Sequence, residues 1–383
     1  MNATPSGTDG GADGYDLLIA GAGPVGCVIA ERAASVMGWR SLIVEKRPHI
    51  AGNCYDREHA SGVLVHQYGP HYFRTNSAAL IEYLSRFTAW IPGNYIVRSS
   101  LGGVLYPFPI NLTTLELFFG RTLDETSARA LLDALRSPID APANSEEFVL
   151  SRVGRAMYEA FYEGYTVKQW ARHPRDLDAS VCGRIPIRFT RDDRYVDHAY
   201  QVTPARGFTA LFERMTADPR ITVRLNTDFR DVRGAVTPRR ATIYTGPLDE
   251  YYDHCYGPLA WRSLDFEWRT FDQPFVQPCV QINFPDVQVP YTRSVEIKHV
   301  TGQEHPQTVV SYEYPRADGE PFYPVPDPVN RQIYRQYEER ARADTAAHRV
   351  YFAGRLARYV YINTDEAIES ALALFDVLQR ECA

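Results

Sequence analysis

Near its start the chain reads Asp16-Leu-Leu-Ile-Ala-Gly21-Ala-Gly23-Pro24-Val25-Gly26, passes through a helix-length stretch, and reaches Ser41-Leu-Ile-Val-Glu45. The apolar run from Leu17 to Ala20 is a buried strand. The three glycines are the G-x-G-x-x-G turn into a helix, and Glu45 closes a second strand in reach of a ribose hydroxyl. Each glycine has its own mechanical job: Gly21 makes the tight turn, Gly23 lets a pyrophosphate approach the backbone, and Gly26 lets helix and strand pack closely. The helix opening at Pro24 and Val25 points its unsatisfied N–H groups at the phosphates. At this level NAD and FAD both remain open.

The flanking residues favour FAD. Lys46-Arg47-Pro-His-Ile-Ala-Gly52-Asn53 is a basic, glycine-containing turn that looks like the extension many FAD proteins wrap around the cofactor phosphates. Near the other end, Val350-Tyr-Phe-Ala-Gly354-Arg355 is a short apolar strand running into Gly-Arg, again an FAD-protein pattern. Ile368, Ala371, Leu372, Phe375 and Leu378 follow it at helical spacing. Both ends therefore belong to one discontinuous cofactor domain, over 15–75, 205–250 and 345–383, with the middle of the chain inserted. The expected fold class is α/β: an FAD-binding Rossmann-like domain with an inserted helical lobe and an antiparallel β-sheet domain. No Cys or His stands in a flavin-linking context, so the FAD is expected to be noncovalent.

A chain of 383 residues with 45% hydrophobic residues can bury the core of two or three such lobes. Its net charge of -6 argues against nucleic acid as the main partner, since no large basic field is present to displace counterions. An anionic ligand must instead be met by a local arginine cluster. The six cysteines show no C-x-x-C and no metal-ligand spacing, which suits reduced thiols of a cytosolic protein and implies no metal. Residues 1–14 are rich in Gly, Ser, Thr and Asp and read as a disordered tail, not a signal peptide. No run approaches a transmembrane span, so a cytoplasmic protein with no membrane partner is expected.

Within the inserted chain, Leu80, Leu84 and Phe87 mark a helix over 76–90 with Asn76 as N-cap. Extended segments with Gly and Pro breaks fill 91–111. Residues 112–170 turn helical, with Val149, Val153, Met157 and Phe161 spaced by four in the last and longest helix; together with 76–90 they form the helical lobe. The charged, aperiodic stretch 171–200 is expected to be a mobile lid. Phe208, Leu211, Phe212 and Met215 mark a helix. The runs from Ile221 to Leu225 and Ala241 to Thr245 read as strands returning to the cofactor domain with a small hairpin. Residues 251–344, with 91–111, are the antiparallel sheet domain. Its strands are expected at Val276 to Phe284, Ser294 to Val300 and Thr308 to Tyr314, and Asp327-Pro328 caps a helix to about Ala343.

A flavin fold alone supports many chemistries, so function must come from the inserted residues. Five strings carry a specific resemblance: Tyr68-Gly-Pro-His71-Tyr-Phe; Gly164-Tyr-Thr-Val-Lys-Gln-Trp170; Arg184-Ile-Pro-Ile-Arg188-Phe with Asp192-Asp-Arg-Tyr195; Tyr244-Thr245-Gly246-Pro-Leu-Asp-Glu-Tyr251; and Gly354-Arg-Leu-Ala-Arg-Tyr-Val-Tyr361. In that order, over nearly the whole chain, they resemble UDP-galactopyranose mutase of the bacterial type. The resemblance implies an isomerase that interconverts UDP-galactopyranose and UDP-galactofuranose with no net redox change, yet needs reduced FAD. Flavin N5 attacks the anomeric carbon and displaces UDP, the sugar ring opens through a flavin–sugar iminium and recloses on the other hydroxyl, and UDP returns. The resemblance further implies galactofuranose biosynthesis for cell-wall or surface polysaccharide, an external reductant such as NAD(P)H, and a homodimer.

It also implies roles. Arg184 and Arg293 match the two arginines that bind the diphosphate, a task suited to fixed donors with a permanent charge. Trp170 stacks on the uracil with Tyr165 and Thr166 nearby, the plainer alternative being an indole that closes the helical lobe. Tyr195, Tyr323 and Tyr359 are hydroxyl donors to the phosphates, although with 25 tyrosines in the chain each could equally be a packing residue. His71 lies beside the flavin and helps stabilise its reduced form. Asn283 and Asn94 are candidates for the uridine or the sugar. The cofactor set is Gly21, Gly23, Pro24, Val25, Gly26, Glu45, Lys46, Arg47, Gly52, Asn53, His71, Thr245, Gly246, Gly354, Arg355, Tyr361 and Asn363.

One departure stands out: relatives often carry Leu-Asp-Met after the tyrosine that Tyr361 matches, whereas this chain has Ile362-Asn363-Thr364. Asn363 remains a competent N-cap for the helix that follows but brings no charge. Two other readings compete. A flavin amine oxidase or desaturase shares the glycine turn and the Gly-Arg strand end, but needs an apolar tunnel or amine cage. A noncatalytic UDP-sugar sensor would have little use for His71 alongside both arginines.

Overall fold

The computed structural model describes residues 14–183 and 186–382. All but Gly14 of the expected tail lies outside the described residues, as do Arg184 and Ile185. The chain divides into two compact units. One takes the described residues up to Tyr55, Thr209–Tyr256 and those from Arg335 on; the other takes Asp56–Phe208 and Gly257–Tyr334.

The first unit is built on a five-stranded parallel sheet in the order Ile221–Arg224, Ser41–Val44, Leu17–Ala20, Ala241–Tyr244, Val350–Phe352. All four residues of Leu17–Ala20 are buried, as a strand flanked by parallel neighbours requires. Its register sets Leu17 opposite both Ser41 and Ala241, so the three strands end level at Ala20, Val44 and Tyr244. Chain order reverses between Leu17–Ala20 and Ala241–Tyr244, and α/β sheets hold their ligands outside the carboxyl ends of strands at such a reversal. The hairpin expected from 221–225 and 241–245 is absent. The two strands lie on opposite sides of Leu17–Ala20, because parallel pairing needs a crossover and the short helix Phe229–Val232 lies on it. Helix Pro24–Met37 packs along Thr364–Cys382 and ends at Gly38, whose left-handed φ of 66° turns its N–H back onto Ala33 and Ala34.

The second unit holds a seven-stranded sheet ordered Tyr323–Pro324, Trp261–Phe271, Thr308–Arg316, Arg293–Val295, Gln281–Asn283, Val97–Leu101, Val104–Phe108. Its pairings are antiparallel except where Gln281–Asn283 runs beside Val97–Leu101. Two expected strands are shorter than their apolar patterns. The N–H groups of Val276 and Gln277 are taken by the Glu296 carboxylate, not by a neighbouring strand, and Val295 is followed by a helical turn at Lys298–Thr301. Helices Leu112–Phe119, Glu125–Leu135 and Ser145–Tyr158 enclose a core in which Val149, Val153, Met157 and Phe161 meet Val97, Phe108, Val280 and Val295. The chain then passes through the π turn Glu159–Glu163 into helix Gly164–Trp170.

Two helix ends differ from expectation. Ser77, not Asn76, caps Ala78–Ser85: its hydroxyl accepts from Leu80 N, while Asn76 Oδ1 accepts from Ala199 N at 2.8 Å. The helix begun at Pro328 continues to His348, with Asp327 Oδ1 accepting from Asn330 N at 2.8 Å. Within 171–200, the described residues from Arg188 on are held by neighbouring segments. Arg188 N donates to Ile110 O and Tyr195 N to Tyr95 O, both at 2.9 Å, and Asp193 pairs with Arg98 at 2.6 Å. No helix among the described residues is long and apolar enough to cross a membrane.

Candidate active site

Gly21 leaves the first strand at φ 102°, and its N–H donates to Val44 O at 2.8 Å. A Cβ here would lie 2.1 Å from Thr245 Oγ1, whose hydroxyl donates to Ala20 O at 2.6 Å. A Cβ on Gly26 would lie 2.0 Å from Gly21 O. The protein's own packing thus demands both glycines. Gly23 is different: its φ is −77°, and a Cβ would meet nothing nearer than Gly52 Cα at 3.8 Å. What Gly23 provides is open backbone, the feature a pyrophosphate needs.

The turn after the second strand lies directly against this loop. Ala51 N donates to Ala22 O at 2.8 Å, Gly52 adopts φ 55° with Gly23 Cα close by, and Asn53 Oδ1 accepts from Arg47 Nη2 at 3.0 Å. Buried Glu45 accepts from Ala22 N at 2.9 Å and Arg47 N at 3.0 Å, so it shapes the glycine loop and keeps further lone pairs for a ribose hydroxyl. Lys46 is exposed. From the C-terminal end, Gly354 adopts φ 86°, and a Cβ there would lie 3.5 Å from Val25 Cγ2 and 3.8 Å from Thr245 Cβ. Gly246 sits beside the Tyr244 hydroxyl. Arg355 Nη2 donates to Ile362 O at 2.6 Å with its guanidinium over Tyr361, and Asn363 N and Nδ2 both donate to Glu366 Oε2 in half of a capping box. The expected cofactor residues other than His71 therefore all belong to the first unit.

His71 belongs to the second. Its Nδ1 bonds to Gly69 O at 3.0 Å, which puts a ring proton on Nδ1. Its backbone N–H donates to Nδ1 of His66, a buried imidazole that burial pushes down to about 4. His66 is thereby held neutral as an acceptor.

On the large sheet, strand register sets Asn283 opposite Arg293 and Arg293 opposite Glu313, so three polar side chains share one cross-strand row. Arg293 Nε donates to Glu313 Oε2 at 2.5 Å and Nη2 to Tyr323 Oη at 3.2 Å. Burial works against the Arg293 charge, but the carboxylate beside it holds the guanidinium protonated well above its usual range. Burial raises the Glu313 carboxyl and Arg293 opposes that rise; at this distance the two are an ion pair. Asn283 Oδ1 accepts from Gln281 Nε2 at 2.7 Å, and Gln281 Oε1 from the Tyr95 hydroxyl at 2.8 Å.

Helix Gly164–Trp170 adds Tyr165, whose phenol is raised by burial and feels the charge of Arg293 and the nearby hydroxyls of Tyr195 and Tyr323. Trp170 is 8% exposed and meets the Tyr323 ring edge-on at 6.4 Å, a degree of burial that also suits a packing indole. Thr166 is buried. Tyr195 lies against Tyr95, 6.1 Å between ring centres. The structure thus gathers Tyr165, Trp170, Tyr195, Asn283, Arg293 and Tyr323. Asn94 is exposed next to Tyr95, Tyr359 lies in the first unit with a left-handed φ of 47°, and Arg184 lies outside the described residues. Sequence reasoning missed Glu313 and Gln281. Glu313 carried a signal, an acid inside the apolar run 308–314, where a buried charge demands a partner.

These features define an α/β protein with a Rossmann-like dinucleotide-binding unit and a separate polar site on a largely antiparallel sheet. Comparison with known proteins agrees. Residues 19–87 match the model of the NAD(P)-binding Rossmann-like domain, and residues 160–361 that of UDP-galactopyranose mutase. A probable UDP-galactopyranose mutase from Klebsiella pneumoniae is 36% identical over 367 residues, 94% of either chain. A dTDP-fucopyranose mutase from Escherichia coli is 34% identical over 93% of this chain and 96% of its own. The crystal structure of a reduced UDP-galactopyranose mutase shares the fold, with a TM-score of 0.76 over 96% of both chains at 16% identity. The chain belongs to the UDP-galactopyranose mutase family, and it is an enzyme of the isomerase class.

Proposed function

We propose that the protein interconverts UDP-galactopyranose and UDP-galactofuranose with reduced FAD as its cofactor. The observation that carries this reading is the Asn283–Arg293–Glu313 row beside Tyr165 and Tyr323: a guanidinium fixed in advance among hydroxyl donors, suited to a diphosphate that leaves and returns. The FAD would be held by Gly21, Gly23, Gly26, Glu45, Gly52, Asn53, Thr245, Gly354 and Arg355, and the open backbone at Gly23 fits its pyrophosphate. Bound and reduced, FAD supplies a nucleophilic nitrogen for the anomeric carbon without net redox change.

The chain's own residues do the rest. Arg293 takes up the negative charge that grows on the diphosphate as the glycosidic bond breaks, and because Glu313 and Tyr323 already orient it, little reorganisation is needed. Arg184 supplies a second guanidinium. Tyr165, kept a neutral phenol by burial, offers its hydroxyl as a donor, with Tyr195, Tyr323 and Tyr359 in the same role. Trp170 packs on the base with Thr166 behind it, and Asn283 and Asn94 read the nucleoside or sugar. His71, oriented by its Nδ1 bond to Gly69 O, stabilises the reduced flavin. An oxidase or desaturase has no use for a charged row in its substrate site, and a mere sensor has no use for an oriented leaving-group clamp.

The relative named for dTDP-fucopyranose supports a second reading, in which the same clamp serves a thymidine nucleotide and a 6-deoxy sugar. Incubating the enzyme with UDP-galactopyranose or with dTDP-fucopyranose, each with dithionite or in air, and separating the nucleotide sugars by chromatography tests both. A furanose product from the first substrate under reduction alone is expected. Product from the second only would transfer the assignment, and none from either would defeat it.

A further inference from the structure

Lys168 lies on the helix of Tyr165 and Trp170, yet its side chain serves the sheet. Its Nζ lies 2.5 Å from Phe284 O, 2.8 Å from Asp286 O, 2.8 Å from Val289 O and 3.0 Å from Tyr291 O, so its three N–H donors are shared among four carbonyls. These carbonyls all belong to the loop that leaves the sheet after Asn283 and returns at Arg293. One turn earlier, Gly164 rests on the same loop: a Cβ there would lie 2.2 Å from Pro285 O, and residues four apart share a helix face. Gln169 Oε1 accepts from Thr292 Oγ1 at 3.3 Å, and the helix end is tied from the other side by Arg262 Nε, which donates to Gln169 O at 2.9 Å.

We infer that Lys168 is a positioning residue: its ammonium draws the 284–291 loop into one geometry, fixing Asn283 and Arg293 relative to the helix that carries Tyr165 and Trp170, and so sets nucleotide affinity. The inference rests on the proposed nucleotide-binding role of those residues. Four carbonyl dipoles converging on one point repel one another unless a cation lies among them, and an ammonium supplies both the charge and the N–H groups. Methionine, one atom shorter and neutral, fills the path of the side chain but leaves the carbonyls opposed.

The cage is a cation site occupied by a side chain, so it can be tested by emptying it. UDP affinity is measured by calorimetry on the flavin-loaded full chain for wild type, Lys168→Met and Lys168→Ala, and turnover is measured in parallel. Both variants should bind UDP about tenfold or more weakly, on the scale of one lost charge-assisted hydrogen bond, with the effect in KM more than in kcat. Ammonium chloride should restore affinity in Lys168→Ala, where the cage is open, and not in Lys168→Met, where a methyl group blocks it. Tetramethylammonium chloride at equal ionic strength should restore neither. Wild-type UDP affinity in Lys168→Met, or equal rescue by both salts, overturns the inference. If Lys168→Ala does not fold, the Lys168→Met affinity and KM-against-kcat split decide alone. Wild type that fails to bind UDP defeats the functional proposal instead, a result read before any variant is compared.

Discussion

Arg293 and Glu313 face each other across adjacent antiparallel strands, Nε to Oε2 at 2.5 Å, with the glutamate side chain wholly buried. Removing one partner of such a pair leaves an uncompensated charge, which typically costs about 3–5 kcal/mol. Glu313→Gln should therefore lower the denaturant midpoint of the second unit and abolish turnover, while adding Arg293→Met should recover part of the stability but none of the activity. Equilibrium denaturation of the single and double variants checks this. A Glu313→Gln midpoint equal to wild type would mean that Arg293 does not depend on the carboxylate.

Gly23 and Gly26, three residues apart, should respond oppositely to alanine. A Cβ on Gly26 collides with Gly21 O at 2.0 Å, so the loop backbone must move, and overpacking of this kind costs about 1–3 kcal/mol. A Cβ on Gly23 makes only ordinary contact within the protein at 3.8 Å and intrudes where a pyrophosphate would lie. Gly26→Ala should lose thermal stability and flavin together, while Gly23→Ala should keep the melting temperature of the apoprotein and lose the flavin. Flavin absorbance after gel filtration, with melting of the apo forms, separates the two. A Gly23→Ala protein that retains its flavin would contradict the assigned role.

The parallel sheet of the first unit was legible because Leu17–Ala20, Ser41–Val44 and Val350–Phe352 are short, largely apolar runs that lead into the glycine turn, Glu45 and Gly354. The site on the second sheet was legible only residue by residue. Arg293 and Asn283 could be named through the family resemblance, but their alignment with Glu313 depends on hydrogen-bond register between distant strands, which side-chain alternation does not encode. Lys168 reads as an ordinary solvated charge on a helix; its role arises from a loop more than a hundred residues away in the chain, which supplies the carbonyls. The cap at Ser77 was missed by one position because Asn76 and Ser77 are both competent caps, and a distant N–H, that of Ala199, engages Asn76.

His66 should give the fold an acid-side dependence. Burial lowers its imidazole from 6.5 to about 4, so between those values the unfolded chain binds a proton that the folded protein does not. Its contribution is whole above pH 6.5 and is lost as pH falls through about 4, a total on the order of 3 kcal/mol. His66→Asn retains an acceptor for the His71 N–H without the titration, and should flatten the stability profile between pH 6.5 and 4 relative to wild type. Urea denaturation across that range is the measurement. Parallel profiles for the two proteins would show that His66 does not titrate there.

Arg184 and Arg188 are close in sequence and should separate fully in function. Arg188 is 9% exposed, with Nη2 donating to Asp197 Oδ1 at 2.7 Å and Nη1 to Arg194 O, and its own N–H bonds Ile110 O. Truncating it strands those acceptors and opens a buried contact, so Arg188→Ala should lose about 1–3 kcal/mol of stability. Any fall in its turnover should follow its loss of folded protein. Arg184, fourteen residues after Trp170, is the arginine that the family resemblance assigns to the diphosphate. If it meets charge that develops only as UDP departs, Arg184→Ala should keep its melting temperature and its flavin yet lose ~100-fold or more in rate. Turnover of reduced enzyme, normalised to folded flavoprotein, decides between them. An active Arg184→Ala beside a stable but inactive Arg188→Ala would exchange the two roles and place the second guanidinium on the tethered segment that begins at Arg188.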